Sequence, residues 1–120
     1  MISKELLSEV MPEWMEIESS GKYTDEYGFD AIEFTLSFND ALGGKSLSYG
    51  KINIHELAHK CKEWANIQNG KYWWVKSHIV TDMRSEATVE TYGSVNKKTF
   101  EAPTEPEAVF NACQWILDNK

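Results

Sequence analysis

The stretch AIEFTLSF at residues 31–38 alternates apolar and polar side chains with a period of two. Ile32, Phe34, Leu36 and Phe38 fall on one face and Glu33, Thr35 and Ser37 on the other, the pattern of a strand with one side in a core and the other in water. Such a strand needs partners at its edges and a layer over its apolar face. The rest of the chain supplies both. SLSYGKIN, YWWVKSHIV, SEATVETYG and KKTFEA read as further strands, with residues 93–96 as the hairpin connection between the last two.

Three segments carry the helical period instead. Ser3 caps a helix whose Leu7, Val10, Met11 and Trp14 recur at i, i+3, i+4 and i+7, with Pro12 kinking it or starting a second short helix. A second helix begins at Asn53 and ends near Gly70, with Leu57, Cys61, Trp64 and Ala65 on its apolar stripe. The third, 105–118, follows a Thr104/Glu107 capping box and buries Val109, Ala112, Cys113, Ile116 and Leu117. These elements predict one α+β domain over residues 1–120, a mostly antiparallel sheet of four or five strands packed against two or three helices.

Composition narrows the function classes. Hydrophobic residues make up 42% of the 120, with five Trp, five Tyr and five Phe, which argues for a folded core. No apolar run approaches the roughly 20 residues that span a bilayer, and MISKELLSEVMPEW is acidic and amphipathic where a secretory signal has a basic start and a continuous apolar run. The expectation is a cytoplasmic chain without membrane association. Cys61 and Cys113 form no CxxC and both fall on helix stripes, which reads as buried free thiols in a reducing compartment rather than a disulfide.

Net charge is −7, and it is regional: residues 1–44 hold two lysines and ten acids, whereas residues 45–120 hold ten basic and nine acidic groups. Such a field repels nucleic acid and favours a basic protein partner, while its ordinary role is a solvated surface. Glu13, Glu16 and Glu18 are the candidate partner-binding acids.

HELAH at 55–59 matches the zinc-peptidase pattern, in which two imidazoles one helical turn apart bind the metal and a glutamate takes a proton from bound water. His55 and His59 would be the zinc ligands and Glu56 the general base, with a third ligand sought among His78, Asp82, Glu86 and Glu90. Helix geometry favours a coincidence. At about 100° per residue the two histidines lie roughly 120 to 160° from the apolar stripe, beside Lys62 and Asn66, so they should face solvent. Lys60 and Lys62 add repulsion to a dication. Glu56 has a metal-free role as well, three residues after the Asn53 cap in a first turn where the macrodipole favours a carboxylate.

GGKS at 43–46 resembles the tail of a phosphate-binding loop, but Asn39 stands where that motif needs its first glycine and a strand follows where it needs a helix. A turn is expected there. Trp73 and Trp74 are adjacent in a strand and must point to opposite faces. One belongs to the core; the other is covered by a helix or, if exposed, marks a partner-binding patch, for which Trp74 is the candidate. His78 on the same strand is expected to be half-buried and structural.

The C-terminal FEAPTEPEAVFNACQWILDNK resembles the ending of small phage and prophage proteins of the phage ABA-sandwich type, in which a strand runs into an APT-x-PEA turn and a closing amphipathic helix. The resemblance covers roughly the last 30 residues. It implies an α+β sandwich and brings no catalytic residues. The sequence therefore points to a small protein-binding or regulatory domain acting through its acidic N-terminal face, without cofactor. The alternative is a minimal zinc-dependent metallopeptidase built on HELAH.

Overall fold

The computed structural model describes residues 2–12, 17–24, 30–68, 73–91 and 97–119. Among them α1 is Lys4–Val10, β1 Ile17–Thr24, β2 Asp30–Asn39, β3 Lys45–Asn53, α2 Ile54–Ala65, β4 Trp73–Thr81, β5 Arg84–Thr91, β6 Lys97–Ala102 and α3 Glu105–Asn119. The expected α+β class is present, with three helices and antiparallel strands throughout. The strands do not join one sheet of four or five. They form two three-stranded meanders, β1-β2-β3 and β4-β5-β6. Among the described residues β3 and β4 do not pair, and alternation within a strand carries no information about which neighbour it takes.

β1 was not legible. IESSGKYT lacks alternating apolar residues, and it is a strand because it pairs with the strongly patterned β2, Ser20 opposite Phe34 and Lys22 opposite Ile32, after an irregularity between Ile17 and Ser19. β2 and β3 are joined by the turn that GGKS predicted. The Asp40 carboxylate accepts from the amides of Leu42 and Gly44, each at 2.9 Å, and Gly43 takes φ 81°, a left-handed value suited to glycine.

Helix starts follow their caps. The Ser3 hydroxyl accepts from the Leu6 amide at 3.1 Å, and α1 stops at Val10 because Met11 precedes Pro12, which disfavours helical backbone. Neither a kink nor a second helix is seen as far as Pro12; Trp14 lies outside the described residues. Asn53 caps α2, which ends at Ala65, short of the expected Gly70. At α3 the Thr104 hydroxyl accepts from the Glu107 amide at 3.4 Å, one of the two bonds of the capping box read from the sequence. The hairpin expected at 93–96 lies outside the described residues.

The core lies between the helices and one face of β4-β5-β6. α3 crosses all three strands, α2 packs beside α3 and along β4, and α1 closes the other side of both helices. Leu6, Leu7, Leu57, Val109 and Ile116 are fully buried, each contributing roughly 1.5–3 kcal/mol through removal of apolar surface from water. α2 and α3 pack together, Cys113 meeting the backbone of Cys61, and the buried small residues of the two helices are Ala58, Cys61 and Ala65 on α2 and Ala108, Ala112 and Cys113 on α3. At the far edge Trp73 meets Trp115 edge-on, centroids 5.8 Å apart, and Phe100 lies 6.3 Å from the same ring.

Candidate functional site

α2 begins where Asn53 ends β3, and its first two turns hold HELAH. The Asn53 Oδ1 accepts from the amides of His55 at 2.8 Å and Glu56 at 3.4 Å, so this end of the motif is a capped helix start. Ile54, Leu57, Ala58 and Cys61 turn inward, while His55, Glu56 and His59 are exposed, as the helical wheel requires. His59 Nε2 lies 2.8 Å from Glu63 one turn on. Among the described residues no third ligand approaches. His78 sits 3.4 Å from Glu86, and Glu90 lies between Lys76 and Lys97 at 3.6 and 3.4 Å, all on the sheet face turned away from the helices. Asp82 is in the β4–β5 turn. Among the described residues no three His, Cys, Asp or Glu side chains stand together as a metal site.

The histidines nonetheless border a depression of this surface. A cleft of about 200 Å³ is walled by His55, His59 and Lys62 of α2, Ser77 of β4, and Glu105 and Val109 of α3. Ser77 Oγ donates to Glu105 Oε1 at 2.5 Å, tying mid-β4 to the first turn of α3. A second cleft of about 300 Å³ continues it, lined among others by Ile79, Asp82, Ser85, Pro103 and Pro106. His55, Glu105 and Pro106 line both, so the two form one channel along β4.

β4 itself departs from a one-sided strand. Trp73 and Val75 are buried, but Trp74 is 47% exposed, Ile79 67% and Val80 37%, and Met83 in the following turn is 84% exposed. Trp74 is therefore the exposed tryptophan of the pair, not one covered by a helix. His78, expected to be half-buried, is exposed too. The register of β4 on β5 becomes irregular between Ile79 and Thr81, with Thr81 still paired to Arg84 beyond it. This strip was missed because YWWVKSHIV has apolar residues at both parities; that failure to alternate was the available signal.

Charge on the outer face is internally satisfied. Arg84 reaches Glu86 at 3.6 Å and Glu101 at 3.9 Å, joining the Lys76, Glu90, Lys97 and His78 pairs into a ladder of exposed contacts. On α1, Glu5 and Glu9 are exposed. Glu13 and Glu16 lie outside the described residues, and Glu18 falls in β1 with its side chain outside the description.

Cys61 and Cys113 are free and buried across the α2/α3 contact, as expected. The bond from Cys113, then burial, push the Cys61 thiol up from its ordinary value. Asp40 is held below the ordinary carboxylate range, chiefly by the Gly44 amide and then the Leu42 amide.

Fold and surface together define a small α+β protein with an open channel beside α2, β4 and α3. Comparison with protein-family models, curated proteins and solved structures gives no match to the chain. No helix among the described residues is long and apolar enough to cross a membrane.

Proposed function

We propose that the chain is a cytoplasmic protein-binding domain that docks its partner on β4 and the turn after it. The observation that carries the reading is the exposure of Trp74, Ile79, Val80 and Met83 along one strand and its turn. Single exposed apolar residues are ordinary, but here four lie along one edge strand and its turn, Ile79 lining the channel and Trp74 at the opposite parity, and such aromatic and aliphatic residues are the anchors of interface cores. The acidic field of residues 1–44, including exposed Glu5, Glu9 and Glu33, gives a basic partner faster and oriented encounter. Two unpaired buried thiols suit a reducing compartment.

The test is a quantitative affinity comparison with the full chain as bait against its Ile79→Ser/Met83→Ser variant. Both positions are exposed, so folding is retained, and proteins that bind specifically should be lost with the variant. An identical set of retained proteins contradicts docking at β4.

A further inference from the structure

β5 turns Ser85, Ala87 and Val89 toward the helices, and Ser85 comes first after the β4–β5 turn. It is only 2% exposed, and it lines the cleft of about 300 Å³ that Ile79, Pro103 and Pro106 also border. That cleft lies on the inward side of the sheet, so the serine belongs to its floor. Among the described residues the Ser85 side chain has no hydrogen-bond partner. A buried hydroxyl in that state is uncommon and calls for a polar group from outside.

Two carboxylates set the sign of that group. Asp82 in the turn and half-buried Glu105 at the start of α3 line the same cleft, and among the described residues no lysine or arginine does. Arg84, two residues after Asp82, is engaged by Glu86 at 3.6 Å and Glu101 at 3.9 Å. Lys62 borders the first cleft and not this one. Glu105 accepts from Ser77, and a carboxylate keeps further acceptor sites. The starts of α2 and α3 also border the cleft, each with roughly half a positive charge. The Asn53 and Thr104 caps already take first-turn amides there, and two full carboxylates outweigh the half-charges.

We propose that this cleft seats a lysine or arginine side chain of the partner that docks on β4. The charged end lies between Asp82 and Glu105 and donates to the Ser85 hydroxyl, while the aliphatic stem runs against Ile79, Pro103 and Pro106. Both basic side chains join an apolar stem to a head with several donors and no acceptor, which matches the order of groups along the cleft. A purely apolar side chain would leave Ser85 unpaired and desolvate two carboxylates, and an acidic one would be repelled. The inference rests on β4 and its turn being the docking surface. It agrees with the acidic field of residues 1–44, which draws in the same kind of partner.

The experiment selects binders from a random decapeptide display library on the full chain and measures their affinity as synthetic peptides. The enriched peptides should share one Lys or Arg. Replacing it by norleucine, which keeps the stem and loses the charge, should weaken binding about tenfold or more. Asp82→Asn should act likewise, Ser85→Ala should cost several-fold, and reselection on Asp82→Lys should replace the base by Asp or Glu. No enriched peptide, peptides without a shared base, or affinity unmoved by both Asp82→Asn and Ser85→Ala would overturn the proposal. Peptides without a shared base that are still lost with Ile79→Ser/Met83→Ser would leave docking at β4 standing and remove only the basic seat. Peptides indifferent to that variant as well would count against both.

Discussion

The Cys113 thiol lies 3.5 Å from the carbonyl oxygen of Cys61 and donates to it, so a side chain of α3 touches the backbone of α2. Close approach of this kind requires the small residues that line the contact. It also shields both thiols from solvent. In the native protein a thiol reagent should label neither cysteine at neutral pH, and both should react together on unfolding. Rapid labelling of one thiol in the folded chain would show that the α2/α3 contact opens.

The same contact sets an alkaline limit. Because the folded Cys61 holds its proton above the ordinary value of 9.0, the unfolded chain loses that proton first as pH rises. The Cys61 contribution is fully present below that value and lost above it. Denaturant midpoints measured from pH 7 to 10 should fall toward the alkaline end, and the fall should be smaller in Cys61→Ala measured against its own midpoint at pH 7.

Asp40 gives the opposite dependence. Its folded carboxyl titrates below the ordinary 3.8, so its contribution is present above that value and is lost as pH falls toward the lowered one. Asp40→Asn should therefore show less acid sensitivity below pH 4 than the parent chain. Equal acid sensitivity in both would mean that the Leu42 and Gly44 amides do not hold the carboxylate in solution.

HELAH is tested by separating its cap from its imidazoles. Asn53→Ala should cost about 1 kcal/mol, as loss of a good helix cap does, whereas Glu56→Ala should cost only a few tenths. Zinc titration by calorimetry should give the same weak response with the parent chain and His59→Ala. One tightly bound equivalent lost in the variant would establish a metal site and reopen the peptidase reading.

The bond between Ser77 and Glu105 fixes the floor of the channel. Ser77→Ala removes a half-buried hydrogen bond to a charged group and should lower stability by about 1.5 kcal/mol in denaturant unfolding. No change would mean that the carboxylate finds water instead.

Legibility followed the strength of the local signal. β2, α2 and α3 were readable because Phe34 and Leu36, Leu57 and Cys61, and Val109 and Cys113 repeat at one clear period, and because Asn53 and Thr104 mark helix starts. β1 was not, since IESSGKYT becomes a strand only through β2. The division into two sheets was also hidden, because alternation within a strand does not say which neighbour it takes.

For the site, the sequence placed His55 and His59 correctly on the solvent face and singled out Trp74. It could not foresee Ile79 and Met83 as exposed neighbours, nor that Lys62, Ser77 and Glu105 line one cleft, since these come together only when α2, β4 and α3 pack. The acidic residues Glu13, Glu16 and Glu18 were legible as charge alone.

The most direct measurement is in-cell photo-crosslinking with a benzophenone amino acid placed singly at Trp74, Ile79 and Met83, and at the exposed control positions Glu63 and Asn111. Docking on β4 predicts discrete higher-mass adducts from the first three positions and none from the controls. Absence of adducts at all three, or equal adducts at the controls, would contradict β4 as the binding strand.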